Sequence, residues 1–410
     1  MSQDSTRTKE PMLADERRAA LGLAAIFALR MLGLFIVLPV FAVAARELTG
    51  GQDLAAVGLA LGAYGLTQAC LQLPFGILAD RWGRKPVIAC GLVLFVLGSM
   101  ICAQADSITA MTWGRMLQGS GAISAAITAL VADLTRDSQR SKAMAMVGGS
   151  IALMFALSLA VAPVLYGWIG LGGLFWLTCA LGVAAFWALF RLVPPAPPLP
   201  TAVPGTFIQV LREPRLFRLN LGVFILHAIQ IAMWVAVPAL LIQRAGLALQ
   251  NHWMVYVPAV LASFFALWPA MMQAERHQRM AQVFSIAVLL LVLVQIGFVG
   301  FVAMGDATGQ SLALGTMLLL VSVFFCGFNI LEALQPSLIS RIAPPAGKAR
   351  ALGIYNTLQS LGLFTGGALG GYLLETGGYL AVFAGCAAMA LIWLVILVQW
   401  PARVPSNRPA

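Results

Sequence analysis

The sequence predicts an all-α integral membrane protein, twelve transmembrane helices arranged as two six-helix bundles. Three observations predict it. First, 60% of the 410 residues are hydrophobic and only 10% are charged, with a mean hydropathy of +0.90. An average soluble domain holds roughly 45–50% apolar and about 25% charged residues, and a soluble fold of this length could not bury so much apolar surface. Second, the apolar residues come in runs of about 20 or more, the length that crosses a bilayer. They do not alternate with polar residues as in a transmembrane β-barrel. Third, the basic residues fall on alternate connections. Ordinary soluble enzymes, disulfide scaffolds and disordered chains are thereby excluded.

The spans follow in order. A polar tail, 1–18, precedes the first run, 19–45, which is too long for a signal-peptide core and has Arg30 inside it. Runs 54–79 and 86–104 flank a basic turn, and runs 108–134 and 142–166 flank a second one. Run 172–193 completes the first bundle, 19–193. The stretch PPAPPLPTAVP over 194–204 reads as an extended linker, and 205–215 as a short surface helix, so that 194–215 joins the bundles. The second bundle, 216–400, holds runs 216–243, 252–273, 281–303, 311–340, 350–374 and 378–400. Residues 401–410 form a short tail.

Charge placement orients the chain. With twelve spans, the even connections, the span ends that border them and both tails hold 21 of the 25 Lys and Arg residues. The odd connections hold only Arg46 and Arg244, while Arg30 and Arg115 lie inside spans. Under the positive-inside rule both termini are cytoplasmic. The net charge of +10 therefore reflects topology and not nucleic-acid binding. The six cysteines (Cys70, Cys90, Cys102, Cys179, Cys326, Cys386) lie in or beside apolar runs, without metal-ligand spacing or a disulfide framework. No metal or cofactor is expected.

The halves echo each other. QLPFGILADRWGR at 72–84 aligns without gaps on LWPAMMQAERHQR at 267–279, matching Pro74 with Pro269, Asp80 with Glu275, Arg81 with Arg276 and Arg84 with Arg279. Pro39 matches Pro238, and RSKAM at 140–144 matches KARAL at 348–352. Two parallel six-helix repeats suit a transporter with its site between the halves at mid-membrane.

The loop Gly76-Ile77-Leu78-Ala79-Asp80-Arg81-Trp82-Gly83-Arg84-Lys85-Pro86 resembles the signature loop of the major facilitator superfamily. Arg115-Met116-Leu117-Gln118-Gly119 and Ala162-Pro163 with Gly167 resemble two further motifs of that superfamily, the second in degraded form. Stretches such as FALRMLGLFIVLPV and FNILEALQPSLIS are similar to the YajR-type branch of proton-driven drug efflux transporters. That branch can carry a C-terminal soluble domain, which this chain is expected to lack. The resemblance implies a bacterial inner-membrane location. It also implies a gate in which Gly76, Asp80, Arg81, Gly83, Arg84 and Asp133 take part. Asp80 would cap the start of the eleventh span near Ala349–Gly353, and Arg84 would pair with Asp133.

Ionisable groups at membrane depth are costly and point to function. Glu332, with Asn329 and Gln335 three residues to either side, is the candidate proton carrier. Burial favours its protonated form and a nearby Arg30 would favour the ionised one, so the net direction stays open. Arg30 and His227, the latter followed by Gln230 and Trp234 on one face, are candidate tuning groups. Each also has a plainer reading: a static buried pair for Glu332, a structural role instead of a place on the substrate or proton path for Arg30, and a neutral interhelical hydrogen bond for His227. Arg115 can escape by snorkelling. Tyr64, Gln68 and Gln72, together with Gln118, Asn356 and Gln359, read as cavity lining or as hydrogen-bonding glue between helices. Glycines 362, 366, 367, 370 and 371 read as close-packing surfaces.

The expectation is a monomeric secondary transporter that exchanges protons for small amphipathic, drug-like compounds by alternating access, and not an enzyme. No Walker A loop suggests ATP drive. The alternatives are a facilitator or importer of a small polar metabolite such as a sugar, and a non-transporting membrane sensor.

Overall fold

The computed structural model describes residues 11–195, 213–305, 309–343 and 348–399. The outer parts of both tails and most of the 194–215 linker lie outside the described residues. Long apolar runs with few competing polar groups form helices, because in lipid every backbone N–H and C=O must be paired internally.

Among the described residues twelve α-helices follow: α1 (Ala14–Phe35), α2 (Leu38–Ala44), α3 (Leu54–Trp82), α4 (Arg84–Ala103), α5 (Ile108–Ser120), α6 (Ser124–Asp133), α7 (Asp137–Arg191), α8 (Pro214–Gln243), α9 (Trp253–Glu275), α10 (Met280–Ala303), α11 (Gln310–Ile342) and α12 (Lys348–Gln399). They do not map one to one onto the twelve expected runs. The first run is broken between α1 and α2, just ahead of Pro39, which lacks the N–H that would continue the helix. The fourth is broken at Gly121–Ile123, between α5 and α6.

Conversely, α7 and α12 each contain two runs. At 55 residues, α7 would be about 80 Å long if straight, against a hydrocarbon core of about 30 Å. Each reverses at one glycine, Gly170 (φ 65°, ψ −175°) and Gly378 (φ 66°, ψ −167°). That conformation is open to glycine and strained for other residues. Ten apolar helical segments among the described residues, two of them reversing, account for twelve crossings.

Because the crossings alternate, the described basic turns at 83–85, 134–136 and 276–279 fall at one end, the basic end, and the reversals at Gly170 and Gly378 at the other, the far end. The first arm of α12 packs against both halves, with glycine on two faces. Gly362, Gly366 and Gly370 press against Phe224, Ala228 and Ala232 of α8. Gly367 and Gly371 press against α3 of the other half, where a Cβ on Gly371 would lie 2.6 Å from the Leu54 carbonyl oxygen. Close backbone approach is how helices associate where lipid removes the hydrophobic drive.

The apolar core shows how the halves sit. Residues at the far end of the first half, such as Phe41, Leu61, Phe155 and Phe175, share one continuous core with the whole second half. Toward the basic end the first half has a separate core, built around Leu23, Phe75, Leu92 and Ile127. The halves are therefore fused at the far end and individually packed at the basic end. Glu375 of α12 adds a polar tie at the far end by accepting the Leu54 N–H at 2.8 Å.

Candidate functional site

The polar side chains at mid-depth fall into two clusters, one in each half. In the second half, His227 on α8, Glu332 on α11 and Gln359 on α12 converge. The Gln359 amide N lies 2.7 Å from His227 Nε2 and donates to Glu332 Oε1 at 3.3 Å. His227 Nδ1 lies 3.0 Å from the Val223 carbonyl. A carbonyl can only accept and an amide N–H only donate. The proton of a neutral imidazole therefore sits on Nδ1, with Nε2 as acceptor. His227 Nε2 is also 3.4 Å from Glu332 Oε2. One amide thus bridges a titratable ring and a carboxylate, and the carboxylate keeps 37% of its side-chain surface exposed.

Arg30 is not part of this cluster. α1 packs mainly against α7 of its own half. Arg30 on α1 is fully buried and donates to the Tyr64 hydroxyl at 2.7 Å and to the Gly121 carbonyl at 2.9 Å. That carbonyl is available because the helix breaks at Gly121–Ile123. Arg115 does not snorkel: it is 1% exposed, its guanidinium lies 5.1 Å from the Tyr64 ring centroid, and it donates to Gln118 Oε1 at 2.5 Å. Gln118 in turn donates to Ser99 at 2.9 Å.

The remaining expected lining residues scatter. Asn329 turns away from Glu332 and donates to Ser263 of α9 at 2.7 Å. Gln335 is fully buried, with neither amide atom bonded. Gln68 and Gln72 are buried on α3, with Gln68 Oε1 and both Gln72 amide atoms unbonded. Gln230 and Trp234 line a narrow apolar pocket with Tyr256 and Phe325. Asn356 is half-buried on α12, one turn before Ser360, which bonds its carbonyl. Between the clusters, Phe155 of α7 meets Phe325 and Phe328 of α11 at 5.9 and 6.4 Å, centroid to centroid.

At the basic end, the turn between α3 and α4 is made by Gly83 (φ 96°), with Gly76 one turn before Asp80 and Arg81 exposed. Arg84 lies between two carboxylates: it pairs with Asp80, and its Nε is 3.1 Å from Asp133 Oδ2. Among the described residues the partner of Asp80 is Arg84, and 53% of the Asp80 side chain is exposed; the expected cap at the start of α12 involves residues outside the described ones.

Sequence reasoning missed Glu16. It is 5% exposed and accepts from Arg136 Nε and Arg136 N, each at 2.9 Å, from Arg136 Nη2 at 3.0 Å, and from Leu13 N at 2.8 Å. A glutamate at the third position of a first helix is half of a capping box, a signal that could have found it. Nothing in the sequence points to Ser99, Ser263 or the Gly121 carbonyl, which are set by helix contacts.

Comparison with known proteins fits this architecture. The sequence pattern of the Major Facilitator Superfamily matches residues 23–328 and, overlapping, 259–410. The inner membrane transport protein YajR of Escherichia coli is 41% identical over 406 residues, covering 97% of this chain and 87% of that protein. The multidrug resistance protein MdtH of Aeromonas hydrophila is 28% identical, covering 92% of this chain and 94% of that protein. The crystal structure of the POT family transporter PepTSo superposes with a TM-score of 0.78 at 12% identity, covering 93% of this chain and 97% of that one.

Proposed function

The chain belongs to the Major Facilitator Superfamily and is a membrane transporter, and from that premise we propose that it exports small amphipathic compounds in exchange for protons. The observation that carries this is the bridge His227–Gln359–Glu332. Gln359 shares its amide hydrogens between the neutral imidazole and the carboxylate. A proton arriving on His227 Nε2 turns that atom from acceptor to donor, evicts the Gln359 hydrogen and presents an N–H to Glu332 Oε2, 3.4 Å away. Passing the proton to Glu332 cancels its charge and frees both neighbours. The three groups sit on three different helices, so each protonation step changes how α8, α11 and α12 hold one another. The similarity to MdtH, a multidrug resistance protein, supports drug-like cargo.

In this reading the basic end faces the cytoplasm, with both termini, and 19–193 and 216–400 rock against each other. The fused far end makes the described conformation the one closed to the outside. In the opposite state Asp80 would leave Arg84 and cap the start of α12, latching the cytoplasmic end.

The test uses purified protein in liposomes that contain a pH-sensitive dye. A panel of amphipathic cations, anions and neutral compounds is added to wild type and to Glu332→Gln. Compound-triggered proton flux that disappears in the variant supports antiport. Compound movement without proton flux, equal in both proteins, makes the chain a facilitator and Glu332 structural.

A further inference from the structure

The mid-depth cluster of the first half has a charge that nothing around it balances. Arg30 and Arg115 flank one ring, Tyr64, from two helices. A guanidinium stays protonated in proteins, and these two are 0% and 1% exposed. Their partners are neutral: the Tyr64 hydroxyl and Gly121 carbonyl for Arg30, and Gln118 and the Leu61 carbonyl for Arg115. The faces of Phe95 and Tyr64 add cation–π contacts at 5.7 and 5.1 Å. Among the described residues no carboxylate pairs with either arginine.

Isolated buried charges are expensive, and two of like sign around one ring more so. The unused groups at the cluster are nearly all donors. Arg30 Nε and Nη1 and Arg115 Nε are buried without an acceptor, and the Tyr64 hydroxyl accepts from Arg30 and keeps its own hydrogen to give. The ligand that matches is an acceptor-only anion. On α3, Gln68 and Gln72 continue one face from Tyr64 toward the basic end, buried and with amide atoms unbonded. They form a polar track of the kind a passing solute would use.

We infer that Arg30, Tyr64 and Arg115 form the binding site for the anionic group of the transported solute, so that the cargo is an amphipathic carboxylate. The cluster lies inside the helix bundle, away from lipid, which favours a free solute over a lipid headgroup. The inference rests on the transport reading above and narrows its substrate class.

The test is equilibrium binding to the full chain in lipid nanodiscs without a proton gradient, using radiolabelled 2-naphthoate. Its neutral amide and the cationic 2-naphthylmethylammonium serve as isosteric competitors. Saturable binding displaced by naphthoate but by neither competitor is expected. Arg30→Gln and Arg115→Gln should each weaken it by about tenfold, the worth of one charge-assisted hydrogen bond, with partial recovery in Arg30→Lys. Gly148→Ala, whose added methyl meets nothing within 4 Å, should bind as wild type. Because no proton flux is read, anion binding can stand where antiport fails, and the reverse.

A second readout guards against unfolded variants. Naphthoate should raise the thermal midpoint of wild type and leave that of Arg30→Gln unmoved. A purely structural pair predicts lower midpoints for both glutamine variants with ligand preference unchanged. Equal competition by the ammonium compound, absence of naphthoate binding, or wild-type binding by the Arg30→Gln/Arg115→Gln double variant overturns the inference.

Discussion

Glu375, near the far end of the first arm of α12, accepts a hydrogen bond at 2.8 Å from the backbone N–H of Leu54, the first residue of α3 in the other half. A carboxylate at a helix N-terminus satisfies an orphan donor and meets the positive end of the helix dipole. Here it also ties the halves together. Glu375→Ala should shift the equilibrium away from far-end closure by roughly fivefold, the usual worth of a cap. Spin labels at Gln52→Cys and Thr376→Cys, in a background without the native cysteines, would read this as a larger long-distance population. An unchanged distance distribution makes the contact incidental.

The glycine faces of α12 predict a contrast in stability. A Cβ on Gly366 would run into the Ala228 backbone, whereas one on Gly148 would meet nothing within 4 Å. Gly366→Ala should cost about 1–3 kcal/mol, as overpacking does. Gly148→Ala should be neutral or stabilising, since alanine favours helix by up to about 1 kcal/mol over glycine. Thermal unfolding in detergent decides: equal midpoints for the two variants contradict the packing described.

The clamp of Glu16 on Arg136 joins the start of α1 to the turn before α7. Glu16→Gln keeps the shape but loses the charge, and Arg136 is 39% exposed, so the loss is discounted for solvent. A destabilisation of about 1–2 kcal/mol is expected. The thermal midpoint should fall and should fall less at high salt. A midpoint indifferent to both substitution and salt shows the clamp to be idle.

Gln359→Leu leaves His227 and Glu332 in place and removes the amide between them. Compound-driven proton flux should drop at least tenfold while compound binding persists. Should flux survive at the wild-type rate, the bridge plays no part in coupling.

The fold was largely legible in the sequence because apolar runs and the side on which arginines fall are both set by the bilayer. Its interruptions were less so. Hydropathy cannot see that the helix opens at Gly121–Ile123, or that the fifth and sixth spans are one helix folded at Gly170. The site divided in the same way. The loop motif singled out Arg84 and Asp133, which lie 3.1 Å apart. Glu332 and His227 stood out as ionisable groups in apolar runs, but their bridging by Gln359 depends on how α8, α11 and α12 pack. Arg30 stood out in the same way, but its bond to Tyr64 was not legible, because a residue's depth along its helix says nothing of the face it presents.

The reversals at Gly170 and Gly378 have a consequence for what the surroundings can grip. On that side two of the six connections shrink to a single residue, and two others are stitched together, with the Thr49 N–H on the Asp106 carbonyl and the Ile108 N–H on the Thr49 carbonyl. Among the described residues of that side, a protease finds little chain outside 244–252 that can be drawn into its cleft, so cleavage sites and epitope tags meant to report on this face belong there.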